Sequence, residues 1–249
     1  MEWRERGGVR WLETELPGAR AAFSTRVGGV SEAPYEALNV AILTGDDPDR
    51  VRENRGRLAN AVGRDANSVV MGRQVHGAVL KRHEQLQEPR VYADAVRSPD
   101  EVDAHATADP DLTPLVMVAD CLPVALSGPG GVAMAHCGWR GLASGIVAEG
   151  VRAIDATAAA IGPGIGPCCY EVGEEVLSRF EHLDGVATGQ MLDLTAVATR
   201  LLAEAGVERV NPSGLCTSCN PELFYSHRRD GEQTGRQAGF VWRIDGAAT

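Results

Sequence analysis

A chain of 249 residues, 44% hydrophobic and 23% charged, is long enough to bury a sizeable core, which excludes a disordered chain, a fibre and a disulfide-stapled miniprotein. Thirty-four acidic against 24 basic side chains give a formal net charge of −10. General attraction to nucleic acid or an anionic membrane surface is therefore disfavoured, and any anion chemistry must be local.

The opening residues, MEWRERGG, are charged and lack the apolar stretch of a secretory signal, so the expected compartment is the cytoplasm, where thiols stay reduced. STRVGG at 24–29 carries Arg26 into a Gly turn whose N–H groups suit an anion. From Asp46 to Gly63 the pattern predicts a helix: acidic cap candidates, Pro48 in the first turn, and Val51, Leu58 and Val62 on one face. QVHG at 74–77 puts His76 in a strand-edge context, and a polar stretch from His83 to Pro99 reads as an excursion loop. Between Leu112 and Ala135 the only charge is Asp120, yet Pro114, Pro123, Pro129 and Gly130-Gly131 cut the run into strand lengths, against a membrane span. LVMVA at 115–119, PVALS at 123–127 and GVAMAH at 131–136 read as interior strands, as does FVWRI at 240–244. Leu142, Ile146, Val147, Val151 and Ile154 mark a second helix, and Leu194 to Ala205, between Asp193 and Gly206, a third. Helices and strands interleave, so the class is α/β with mixed sheets, and one domain over residues 1–249 is expected.

Polar residues that interrupt apolar runs mark candidate chemistry, because burying them unpaired costs about a few kcal/mol. Asp120 and Cys121 sit between two strands, and His136, Cys137, Trp139 and Arg140 end the next. A strand, a turn and a returning strand between Cys121 and His136 would bring the two side chains together. With His76 they form a set suited to Zn²⁺ that leaves one tetrahedral position open; the alternative is a buried thiol and two satisfied histidines. Cys168, Cys169, Cys216 and Cys219 could build a second zinc site. Adjacent cysteines chelate one tetrahedral metal poorly, however, so ordinary thiols packed near the site, or a CxxC redox pair, are the competing readings. Besides Arg26, the segment SHRRDGEQTGRQ at 226–237 offers Arg228, Arg229 and Arg236 for an anion.

Six segments in order, STRVGGVSEAPYEALNV at 24–40, QVHG, VADCLPV at 118–124, AHCGWRGL at 135–142, IGPGIGPCCYEVGEEV at 161–176 and the closing CTSCNPELFYSHRRDGEQTGRQAGF at 216–240, resemble the multicopper polyphenol oxidase (laccase-domain) family. That family is also described as purine nucleoside phosphorylases with adenosine deaminase activity and as peptidoglycan editing factors. The resemblance implies a single-domain α/β sandwich similar to bacterial deamidating toxins, with a metal, commonly zinc, on His76, Cys121 and His136. It further implies phosphorolysis of adenosine, inosine, guanosine or methylthioadenosine, with Arg26 as first choice for phosphate and Arg228, Arg229 and Arg236 as further candidates. Asp120, Asp103 and His105 are expected as proton carriers or as orienters of the ligands, and Trp139 as a stacking surface or a packed turn residue. Cys137, where many relatives have Ala, would place a second thiol beside the ligands and alter metal or redox preference. Partners are then nucleosides and phosphate, with no nucleic acid and no membrane, and a homo-oligomer is possible. Copper remains an option as the metal, but six histidines in all are too few for a blue-copper centre plus a trinuclear cluster. Two alternatives stand beside this reading: a Cys121–His136 hydrolase acting on cell-wall precursors, and a non-catalytic metal-binding partner protein.

Overall fold

In the computed structural model, which describes residues 1–86 and 88–244, the charged N-terminal segment forms a meander of β1 (Glu2–Arg6), β2 (Val9–Leu16) and β3 (Ala19–Ser24). Side chains alternate along β2, so Val9 and Trp11 join one core cluster while Leu12 and Leu16 join another. Helix α1 (Pro48–Ala61) starts where expected, with the Asp47 carboxylate accepting from the Asp49 N–H and Pro48 inside the first turn. The apolar run after Leu112 is cut by its prolines and glycines into strands. After β4 (Val69–Val70), β5 (Leu80–His83) and β6 (Ala104–Thr107) come β7 (Thr113–Val118), β8 (Leu122–Gly128) and β9 (Gly131–Cys137). No helix among the described residues is long and apolar enough to cross a membrane.

The second expected helix begins earlier and is broken in two, α2 (Trp139–Ala143) and α3 (Ile146–Ile154), because Gly145 adopts φ 88°, which ends one helix and starts the next. There follow β10 (Ala158–Ile161), α4 (Glu174–Leu177) and a short hairpin of β11 (Ala187–Thr188) and β12 (Met191–Leu192). The third expected helix is α5 (Leu194–Glu204), capped by Asp193 through the Ala196 N–H. The chain closes with β13 (Arg209–Pro212), α6 (His227–Asp230) and β14 (Gln237–Arg243).

Two mixed sheets result, ordered β1-β2-β3-β14-β7-β4 and β13-β10-β8-β9-β6-β5. Their inner faces meet across Phe23, Val116, Val118, Val132, Met134 and Val241. The outer face of the first packs on Leu58 and Ala59 of α1, that of the second on Ile146 and Val147 of α3 and Val197 and Leu202 of α5. The layers are thus helix, sheet, sheet, helix. The polar stretch from His83 to Pro99 carries no helix or strand after His83 among its described residues, yet it is no detached excursion. Val91 and Tyr92 are buried in the first sheet's outer core, and their carbonyls accept from the Nη1 of the fully buried Arg55 at 2.9 and 3.0 Å.

Candidate functional site

Strand β7 belongs to one sheet and β8 to the other, so the chain changes sheets through Ala119, Asp120 and Cys121. The corner requires Asp120 to take φ 92°, a left-handed conformation costly for a residue with a Cβ. Three hydrogen bonds hold it there. The Thr217 hydroxyl donates to Oδ1 and the Arg228 N–H to Oδ2, both at 2.6 Å, and the Ile165 N–H donates to the Asp120 carbonyl at 2.8 Å. Both carboxylate oxygens of Asp120 are therefore committed to fixing loops.

The thiol of Cys121 meets the imidazoles of His76 and His136, their ligand atoms all within 4.8 Å of one another. The strand, turn and returning strand expected between Cys121 and His136 are β8 and β9, which pair Pro123 with His136. His76, at φ 61°, approaches from the segment after β4, with its ring 4.7 Å from that of His136. Asp103 joins the two histidine segments: its buried carboxylate accepts the N–H groups of Val75, His76 and Gly77 at 3.1, 2.9 and 2.8 Å and Nδ1 of His136 at 2.8 Å. With Nδ1 held by Asp103, Nε2 is the ring nitrogen of His136 left for a metal, which would displace its proton, the arrangement in which a carboxylate aims a metal-binding imidazole. Two imidazoles and one thiolate, oriented in this way and opening on a cavity, fit Zn²⁺ with room for a further ligand.

Burial opposes ionisation of Cys121, but the charge and hydrogen bond of His136 and the hydrogen bond of His76 outweigh it and bring the thiol down to about 6. Burial likewise opposes protonation of His136, and the Cys121 charge and the Asp103 hydrogen bond raise it to about 9. Cys137 lies elsewhere than expected. Neighbouring side chains on a strand point to opposite faces, so while His136 faces the cavity Cys137 is buried in the outer core beside Leu142 and Ile146, and burial drives its thiol well above the ordinary value.

The triad lies on a cavity of ≈ 510 Å³, a size suited to a small organic substrate. Trp139, Tyr170 and His227 line it, together with six arginines among the described residues: Arg140, Arg228 and Arg236, Arg97, Arg55, which is spent on backbone carbonyls, and Arg73, which is paired with Glu101. Arg228 is steadied by the Glu171 carbonyl and stacks over Tyr170, while Arg236 bonds the carbonyls of Thr234 and Gly235. Arg140, a position the sequence had marked without assigning it to an anion, stacks on Trp139 and has no hydrogen-bond or ion-pair partner among the described residues. Arg26 and Arg229 do not line the cavity. Arg26 bonds the carbonyls of Glu36 and Pro221 and lies over Tyr225; Arg229 is spent on Asp230 and on the carbonyls of Thr217, Ser218 and Phe224. His105 likewise does not line the cavity; it is buried against His83 with 3.0 Å between their ring nitrogens. Local sequence does not separate the loop arginines Arg26, Arg228, Arg229 and Arg236, which all stand near glycines; the direction in which each segment leaves its sheet does, and Arg140 is aimed by helix α2.

A family description, multi-copper polyphenol oxidoreductase laccase, matches residues 20–244. The purine nucleoside phosphorylase YfiH of Escherichia coli (strain K12) is 40% identical over 242 residues, covering 91% of this chain and 95% of that protein. The purine nucleoside phosphorylase PA4543 of Pseudomonas aeruginosa is 35% identical over 254 residues, covering 94% and 99%. Among solved structures, YlmD from Geobacillus stearothermophilus superposes with a TM-score of 0.86 at 34% identity, covering 97% of this chain and 98% of that one.

Proposed function

The chain belongs to the multi-copper polyphenol oxidoreductase laccase family, and from that footing we propose that it is a purine nucleoside phosphorylase with adenosine deamination as a second activity. The observation that carries this reading is one cavity in which the His76–Cys121–His136 set faces Arg140, Arg228 and Arg236, within a chain of net charge −10. Positive charge gathered there against the overall balance suits inorganic phosphate. Copper oxidase chemistry fails on ligand supply. His83 and His105 bond each other, and among the described residues only His76, His136 and His227 of the histidines line the cavity, too few for a trinuclear cluster.

In phosphorolysis a phosphate oxygen forms a bond to the sugar C1′ as the C1′–N9 bond breaks and its electron pair leaves with the purine. Charge grows positive on the sugar and negative on the base. Arg140 and Arg228 hold the phosphate against C1′, and the Trp139 and Tyr170 rings flank the base. His227, the cavity imidazole outside the triad, delivers the proton that the departing purine needs. His76, Cys121 and His136 would hold Zn²⁺, which when bound supplies Lewis acidity toward the substrate. Asp103 keeps His136 in the tautomer that serves this set. Adenosine, inosine, guanosine and methylthioadenosine are the proposed substrates, and the cytoplasm the proposed compartment.

Incubating the protein with adenosine, with and without phosphate, tests the reading. Phosphate-dependent adenine plus ribose 1-phosphate is expected, with inosine as a phosphate-independent product, and Arg140→Ala should raise KM for phosphate at least ~10-fold, the loss of about 1.4 kcal/mol of binding. Neither base nor inosine would sink it. The Asp103–His136–Cys121 relay favours one second reading, a Cys-His hydrolase acting on an amide or ester of a cell-wall precursor. Activity that survives chelation and is abolished by alkylating Cys121 would select it.

A further inference from the structure

Four cysteines outside the cavity set meet in space although they come from two loops nearly fifty residues apart. Cys168 and Cys169 follow the Gly-rich 161–167 segment, and Cys216 and Cys219 lie between β13 and α6; all four sulfurs fall within 4.8 Å of one another. We propose that they bind one structural Zn²⁺ as a tetrathiolate, separate from the cavity metal, which staples these two loops together behind the cavity wall.

The spacing supports a metal. The Sγ atoms of Cys168 and Cys169 each lie 3.4 Å from that of Cys219. A disulfide needs about 2.05 Å, whereas four sulfurs at about 2.3 Å from a tetrahedral zinc sit ~3.8 Å apart. The observed separations are near the edge of that tetrahedron. The four are free thiols, two of them exposed, so apolar packing does not account for their gathering. Adjacent cysteines are poor joint ligands on extended backbone, where successive side chains diverge. Here the Cys169 and Tyr170 N–H groups both donate to the Gly166 carbonyl, at 3.0 and 3.1 Å, and this turn brings both neighbouring sulfurs to Cys219. On the opposite side the Gly166 N–H donates to Sγ of Cys216 at 3.2 Å, a backbone contact of the kind that supports thiolate ligands. Binding would release the thiol protons to solvent and involves no electron transfer.

The position gives the metal a role. Thr217, between two of the cysteines, donates to Asp120 at the sheet-changing corner, and its N–H reaches the Gly164 carbonyl at 3.0 Å. Tyr170, next to Cys169, lines the cavity beneath Arg228. A zinc at the cluster would hold this wall in register with Cys121.

The test compares the full chain, purified under reducing conditions with zinc, with a His76→Ala/His136→Ala variant and a Cys219→Ser variant. The readouts are native mass spectrometry, zinc X-ray absorption and amide exchange. The cavity variant should retain about one zinc per chain in a sulfur-only shell near ~2.3 Å. Cys219→Ser should lose that shell, keep the mixed nitrogen–sulfur one, and show at least ~10-fold faster exchange at Ile165 and Thr217. If the cavity variant does not fold, the wild-type chain still decides, because its absorption must contain both shells. Wild-type protein without a sulfur-only zinc shell, with iron in its place, or with a mass lowered by two hydrogens per linked pair of cysteines, overturns the proposal; unchanged exchange in Cys219→Ser overturns the staple. The two shells are read separately, so loss of the cavity metal leaves this result standing.

Discussion

A buried carboxylate facing three backbone N–H groups and an imidazole is a poor store for a proton. Burial alone would raise the Asp103 carboxyl, but the His136 hydrogen bond and the amides of Gly77 and Val75 outweigh it and hold it below the usual range, so it stays ionised and orients. Cys121 and His136 respond to each other in the same way. The contribution of Cys121, depressed from 9.0 to about 6, is complete above pH 9 and lost as pH falls through 6; that of His136, raised from 6.5 to about 9, is complete below 6.5 and lost as pH rises through 9. In chelator-treated protein the ion pair therefore spans about pH 6 to 9. Iodoacetamide labelling of Cys121 followed against pH should rise with a midpoint near 6; a midpoint near the ordinary 9.0 would contradict the pairing.

Elements set what may approach the triad. Gly138, the cap residue of α2, directs that helix across the ligand set, and a Cβ built there would lie 2.9 Å from Sγ of Cys121 and 3.2 Å from Cδ2 of His76. No real Cβ tolerates the first contact, so Gly138→Ala must displace either the helix start or the thiol. We expect at least a ~10-fold loss of zinc affinity, the scale seen when groups supporting a metal are disturbed, with melting temperature changed by only a few degrees. Zinc competition with a chromophoric chelator measures it, and an unchanged affinity would show that the triad is looser than described. Strand β9 makes a related choice, presenting His136 to the cavity and Cys137 to the outer core.

At the scale of the molecule the site depends on two sheets meeting at a fixed distance. Phe23 of β3 is 1% exposed in the interface between them, and a Cβ at Gly162, after β10 of the other sheet, would fall 2.3 Å from its ring. The ring and the bare glycine thus key the sheets together. Truncation in such a place leaves a cavity that close-packed neighbours cannot fill, so Phe23→Ala should cost about 3–5 kcal/mol. Urea unfolding gives the number, and a loss under ~1 kcal/mol would mean that the sheets are held mainly elsewhere.

Much of this was legible along the chain. Caps at Asp47 and Asp193 and the breaks at Pro114, Pro123 and Gly130-Gly131 are local chemistry, so α1, α5 and strands β7 to β9 could be read directly. Cys121 and His136 were legible because polar side chains at the ends of apolar strands have few places to go; His76, expected at a strand edge, lies instead on a bend between β4 and β5, and the fold carries it to them. Short strands such as β5 (LKRH) and β10 (AAAI) carry too few residues for a period and exist because neighbours pair with them. Which arginines reach the cavity, which face Cys137 takes, and that Cys168, Cys169, Cys216 and Cys219 converge were decided only by tertiary structure. Composition and spacing fix which groups a segment carries; the packing of two sheets fixes where the loops between them aim those groups.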